Sequence, residues 1–268
     1  MTDTEKTTKP RRGIYLLPNL VTTVGLFAGF YAIISAIEAK FEPAAVAIFI
    51  AMIMDGLDGR IARITKTESD FGAEYDSMAD MVSFGLAPAL VAHQWALSSL
   101  GKLGWLAAFV YAAGAALRLA RFNTQVGIAD KRYFQGLASP AAAAMIAGLV
   151  WLGTDLTWES GLDKSIVAFI VTLAAGVLMV SNFRYQSFKQ FDIRGRVPFI
   201  VIVGLMLAIA VIYLHPPIVL FAGFFLYAIS GPIDTLLHLK QRREERQQKA
   251  TTSVEADAVE TPADSTNE

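Results

Sequence analysis

Cysteine is absent from this 268-residue chain, which excludes disulfides, zinc–thiolate centres and thiol catalysis. Histidine is nearly as scarce: His93, His215 and His238 are the three, too scattered to suggest a histidine metal site. Charged residues make up 18% of the chain against 54% hydrophobic ones, a balance too apolar for an ordinary soluble domain. The alternating pattern of a transmembrane barrel is missing, and no internal repeat of the inverted-transporter kind is visible. With a net charge of -1 there is no basic excess, and no nucleic-acid partner is expected.

What the chain does have is length in apolar runs. Windows of about twenty apolar residues fall near Leu16–Ile37, Pro43–Arg63, Ser77–Leu97, Leu103–Phe122, Pro140–Leu156, Ser165–Ser181, Val197–Leu214 and Pro217–Leu237. A spanning segment must satisfy its own backbone hydrogen bonds, so these windows predict an all-α, polytopic membrane protein with about eight transmembrane helices. The first window comes after a basic stretch (Lys6, Lys9, Arg11, Arg12), and Ala36-Ile37-Glu38-Ala39 faintly resembles a cleavage site. Its apolar run is longer than the core of a cleaved signal, so it reads as a retained span.

Basic residues alternate in density from loop to loop. They gather at the N-terminus, at Lys66, at Lys131 and Arg132, at Arg184, Lys189, Arg194 and Arg196, and at Lys240, Arg242, Arg243, Arg246 and Lys249. The intervening loops carry only Lys40, Lys102 and Lys164. The positive-inside rule then puts both termini in the cytoplasm of a cell with this protein in its inner membrane. The organisation expected is a cytoplasmic segment 1–13, a transmembrane domain 14–239 and a cytoplasmic tail 240–268. That tail is basic and headgroup-facing at first, then acidic and without the apolar content for a core.

Against this background Asp55, Asp58, Asp76 and Asp80 stand out, because a carboxylate in an apolar span costs about 2.5–3.5 kcal/mol on insertion scales. Asp55, Asp58, Gly59 and Ala62 share a face of the second span, and Gly72, Asp76 and Asp80 share a face at the start of the third. The topology puts both faces at similar depth, just inside the cytoplasmic surface. Carboxylates that close repel one another unless cations intervene. Hard divalent ions, Mg²⁺ or Mn²⁺, are the fitting partners, and such ions commonly serve phosphate substrates. Gly59 and Ala62 leave room for a ligand beside the helix, and Arg63 offers a fixed charge for a phosphate. Two other readings stay open from spacing alone. The carboxylates could pair with Arg60, Arg63 and Lys66 at helix ends, or form the ion site of a cation- or proton-coupled transporter.

The pattern Asp55-x-x-Asp58-Gly59-x-x-Ala62-Arg63, eight residues, Gly72-x-x-x-Asp76-x-x-x-Asp80 resembles the defining motif of the CDP-alcohol phosphotransferases without departure. The resemblance implies a six-helix core with two additional C-terminal helices, and about two Mg²⁺ or Mn²⁺ ions as cofactors. It implies that Asp55, Asp58 and Asp76 are metal ligands and that Asp80 is both ligand and general base. Asn19, Thr22, Gly59, Ala62, Arg63 and Gly72 would then contact the CDP-linked lipid. Capping of the first span is the bland explanation of Asn19 and Thr22.

Flanking stretches resemble the integral-membrane bacterial phosphatidylserine synthases within that family. They are Leu17-Pro18-Asn19-Leu20-Val21-Thr22, Asp80-Met81-Val82-Ser83-Phe84-Gly85-Leu86-Ala87-Pro88-Ala89, Leu117-Arg118-Leu119-Ala120-Arg121-Phe122-Asn123, Tyr133-Phe134-Gln135-Gly136-Leu137-Ala138-Ser139-Pro140 and Val180-Ser181-Asn182-Phe183-Arg184-Tyr185. Ala138 departs from the proline usual there, which loosens that loop. The resemblance implies CDP-diacylglycerol as donor, L-serine as acceptor, phosphatidylserine and CMP as products, membrane lipids around the enzyme, and a homodimer. Glycerol 3-phosphate or an inositol derivative is the alternative acceptor. Arg118 and Arg121, with Asn123 and Ser139, are the candidate contacts for an acceptor carboxylate or a phosphate. Against that stand arginines snorkelling to headgroups and polar side chains capping helices.

Overall fold

A computed structural model describes residues 16–65, 67, 69–125, 133–158, 161–186 and 199–236. The helices are α1 Leu16–Ile37, α2 Phe41–Thr65, α3 Asp70–Asp80, α4 Ala87–Trp95, α5 Lys102–Gln125, α6 Ser139–Asp155, α7 Leu162–Val180, α8 Phe199–Leu214 and α9 Pro216–Leu236. Between α3 and α4 lies a π-helical turn, Met81–Leu86, so these three pieces form one helical body. The third apolar window therefore belongs to a helix that starts seven residues earlier than expected, at Asp70, and is not uniformly α-helical. Each of the other seven windows falls on a helix of its own.

Among the described residues the helical expectation has one exception. Tyr133–Gln135 (β1) and Arg184–Gln186 (β2) pair antiparallel, with Phe134 opposite Tyr185. This ribbon joins the segments on the C-terminal sides of α5 and α7. Lys131, Arg132, Lys66 and the terminal segments 1–13 and 240–268 lie outside the described residues.

Four helices among the described residues are long and apolar enough to cross a membrane: Leu17–Ile37, Lys102–Thr124, Leu162–Val180 and Pro216–Leu236. Their outward faces carry large apolar side chains, such as Phe27 at 67% and Trp105 at 61% exposure. Water would not tolerate so much exposed apolar surface on a monomer, whereas lipid does. This is a membrane protein.

The interior is built of small residues. α6 is buried all round from Ala141 to Val150, and α1 and α2, which pack against each other, bury Ala28, Ala32, Ala36, Ala44, Ala45 and Ala47. In lipid, where burial of apolar area gives helices no advantage, small residues let backbones approach and gain dispersion contacts. Gly29 shows how tight this is: a Cβ there would fall 2.7 Å from Ser83 Cα, so α1 and the π-turn touch backbone to backbone.

Two buried tyrosines fasten helices in the same way. Tyr185 Oη donates to Ala228 O at 2.9 Å, and Tyr111 Oη donates to Phe84 O at 2.9 Å. In each helix the residue four positions on is a proline, Pro232 and Pro88, with no N–H to give that carbonyl. A phenol from another element supplies the missing hydrogen bond. Burial, together with nearby Tyr227, raises the pKa of Tyr185 and keeps it a protonated donor.

Candidate active site

The carboxylates are positioned by a helical hairpin. α2 carries Asp55 and Asp58, the chain reverses after Thr65, and Ser69 caps α3 by accepting from Gly72 N at 3.1 Å. Asp76 and Asp80 stand one turn apart on α3. α1 lies across both helices and ties them together. Thr22 Oγ1 donates to Asp58 Oδ2 at 2.8 Å, and Thr23 Oγ1 shares a 2.9 Å hydrogen bond with Tyr75 Oη. Ser83 Oγ donates to Gly25 O at 3.2 Å, bringing in the π-turn.

The result is a small cleft lined by Thr22, Asp55, Asp58, Asp76, Asp80 and Ser83, among others. Asp55, Asp76 and Asp80 each offer a carboxylate oxygen, and the three lie within 4.8 Å of one another. That separation suits oxygens around one hard divalent cation, whose ligands stand about 2.0–2.6 Å from the metal. The donor set is all oxygen, with no sulfur or imidazole, which again fits a hard ion. Asp58 lines the same cleft but stands outside that trio, buried to 5% exposure with Thr22 as its hydrogen-bond donor. Thr22 also approaches Pro18 O at 3.1 Å, but this is a hydroxyl bonding back to the carbonyl one turn earlier, inside a helix that already runs from Leu16, and not a helix cap.

The other residues expected at the site occupy several settings. A Cβ at Gly59 would meet nothing within 4 Å, so the face beside Asp58 is open. Ala62 is half-buried on that face, and the exposed Arg63 turns its Nε to Gly59 O at 2.8 Å. Gly72 and Asn19 are neighbours, because a Cβ at Gly72 would lie 3.3 Å from Asn19 Oδ1. Arg118 Nη1 donates to Ser139 Oγ at 2.7 Å, joining two residues predicted separately. Its Nε is buried with no hydrogen-bond partner among the described residues, while the guanidinium feels the charges of Asp80 and Asp55. Arg118 is therefore not a residue snorkelling to headgroups.

Arg121 faces elsewhere: its Nη1 reaches Asn182 Oδ1 at 3.3 Å and Ser181 O at 3.5 Å. One helical turn thus separates the two arginines into different settings. Asn123 Nδ2 donates to Ser77 Oγ at 3.0 Å, tying α5 to the turn that carries Asp76. Ser77, Tyr75, Ser83 and Asn182 were not foreseen as parts of the site. Asn182 and Ser83 had a signal, since each lies in one of the flanking stretches; Tyr75 and Ser77 sit at variable positions of the motif.

The sequence model of the CDP-alcohol phosphatidyltransferase family matches residues 15–231. The chain belongs to that family. The match covers every element from α1 to most of α9, so the carboxylate hairpin sits within family sequence throughout. A CDP-diacylglycerol–serine O-phosphatidyltransferase of Helicobacter pylori is 37% identical over 84% of this chain and 92% of its own length. The protein of the same description from Mycobacterium tuberculosis is 40% identical over 64% of this chain and 62% of its own length. The one from Bacillus subtilis is 32% identical over 65% of this chain and 92% of its own length.

Proposed function

We propose that this protein transfers a phosphatidyl group from CDP-diacylglycerol to the hydroxyl of L-serine, giving phosphatidylserine and CMP in phospholipid synthesis. The single observation that carries the chemistry is the convergence of Asp55, Asp76 and Asp80 on one point beside Asp58. The acceptor is supported by the relatives, which are described as serine enzymes at 32–40% identity.

Asp55, Asp58, Asp76 and Asp80 would hold Mg²⁺ or Mn²⁺, two ions in this reading, with Asp58 completing the second set. When bound, such ions offset charge on the donor pyrophosphate and on the departing CMP. Asp80 takes the proton from the serine hydroxyl. The freed oxygen attacks the phosphorus bonded to diacylglycerol, and the bond from that phosphorus to the CMP oxygen breaks. The open face at Gly59 and Ala62, with Asn19, Thr22, Arg63 and Gly72, receives the nucleotide end of the donor. Arg118, which has a buried donor to spare beside Asp80, is placed to hold the serine carboxylate, with Ser139 orienting the guanidinium. Arg121 and Asn123 act one step further out.

The same reading takes residues 14–239 as a catalytic domain of eight spans in the inner membrane, with its site and both termini facing the cytoplasm. A homodimer surrounded by lipid belongs to it as well. The test uses the purified full chain in vesicles with CDP-diacylglycerol, labelled serine, and Mg²⁺ or Mn²⁺. Label should enter chloroform-soluble lipid with release of CMP, and a chelator should stop it. Incorporation of glycerol 3-phosphate or an inositol derivative in place of serine would overturn the acceptor.

A further inference from the structure

Asp80 is the last residue of α3, and the turn directly after it is π-helical: Ala87 N bonds Val82 O, five residues back. A π-turn inserts one residue into the helical count, which rotates the helix on its N-terminal side by about 100° relative to the helix on its C-terminal side. On the C-terminal side, α4 is fixed by burial of Ala87, Ala89, Val91, Ala92 and Trp95. With α4 so fixed, an ordinary α-helical path through 81–86 would swing Asp76 and Asp80 off the face that meets Asp55. The geometry of the carboxylate trio thus depends on a turn that contains none of its members.

The chemistry of the turn explains why it exists. Pro88 opens α4 without an N–H, and its ring crowds the carbonyl four residues back, that of Phe84. A bare carbonyl inside an apolar protein is costly. Tyr111 Oη fills the vacancy at 2.9 Å, from a side chain with no exposure. Tyr111 itself cannot drift, because α7 closes on its backbone at Gly176, where a Cβ would fall 2.9 Å from Tyr111 Cα. On the other side of the turn, Ser83 is pinned to Gly25 O of α1.

We infer that Tyr111 is a positioning residue for the carboxylate cluster: its hydroxyl caps the carbonyl that Pro88 leaves bare and so holds the π-turn that aims Asp76 and Asp80 at Asp55. This rests on the reading of those aspartates as metal ligands. Tyr111 touches neither substrate nor ion in this role. It acts through the path of the backbone, over one turn of helix.

The test is Mn²⁺ binding to the purified full chain, monitored by the paramagnetic resonance signal of the free ion, with thermal unfolding measured in parallel. Tyr111→Phe keeps the ring and removes the hydroxyl; it should weaken Mn²⁺ binding by about tenfold, the scale of one buried hydrogen bond. Adding Pro88→Ala to that variant restores an N–H to Phe84 O and favours an α-helical path. The double variant should regain thermal stability while Mn²⁺ binding stays weak, a split that a merely structural tyrosine would not give. Pro88→Ala alone, with Tyr111 in place, serves if Tyr111→Phe does not fold, and should also bind Mn²⁺ more weakly. Wild-type affinity in these folded variants would overturn the inference. If instead the unmodified chain binds no Mn²⁺, or Asp76→Asn binds it as well as the wild type does, the metal reading itself fails.

Discussion

Thr22 and Asp58 are joined across the α1–α2 interface by a 2.8 Å hydrogen bond between two buried side chains. The hydroxyl has one proton and two acceptors in reach, and the carboxylate is nearer than Pro18 O at 3.1 Å. Thr22→Val keeps the shape and deletes the donor. A hydrogen bond to a charged group contributes about 1.5–3 kcal/mol, so activity should fall by roughly tenfold or more. Thr22→Ser should retain most of the activity in the same CMP-release assay.

Asp80→Asn preserves size and polarity but removes the base. Turnover should drop by about 10²–10⁴-fold, the usual scale for a positioned proton acceptor, while the unfolding temperature stays near that of the parent. Near-normal CMP release from the folded variant would remove Asp80 from that role.

Gly29 and Gly25 make a controlled pair on α1. A side chain at Gly29 would run into the backbone of Ser83, whereas a Cβ at Gly25 has its nearest contact at 3.4 Å, to Met54 Cβ. Gly29→Val should cost about 1–3 kcal/mol of stability, as overpacking does. It should also lower activity by prising α1 from the π-turn. Gly25→Ala should be nearly silent in both thermal unfolding and turnover.

At Ala138 the backbone sits at φ -62°, ψ 133°, a conformation that proline adopts without strain. Ala138→Pro should therefore raise stability by about 0.4–1 kcal/mol by restricting the unfolded chain, with serine transfer unchanged. A loss of stability in thermal unfolding would show that the loop uses the freedom alanine gives it.

These residues also show how much could be read from the chain alone. The aspartates were legible because spacings of three and four put them on helix faces, and a short connection forces those faces together. The apolar windows located the helices, since a spanning backbone has few other ways to satisfy itself. The π-turn was hidden because Pro88 in an apolar run signals only a break, and the rescue comes from Tyr111 on a different helix. Two three-residue strands are too short to leave a periodic trace. The Arg118–Ser139 pair was half visible: both residues were named, but their union depends on how α5 meets α6. Asn182 as a partner of Arg121 depends on how α5 and α7 cross, at Gly114 and Gly176, which no local pattern encodes.

The two tyrosine-capped prolines also make a statement about descent. At Pro88 and Pro232 the missing N–H is what gives the hydroxyls of Tyr111 and Tyr185 their task. A lineage that replaces either proline with a residue bearing an N–H no longer needs the phenol, and one that loses the phenol is pressed to lose the proline. Positions 88 and 111, and positions 232 and 185, should therefore vary as linked pairs among relatives, although each pair is separated in sequence and lies on different elements.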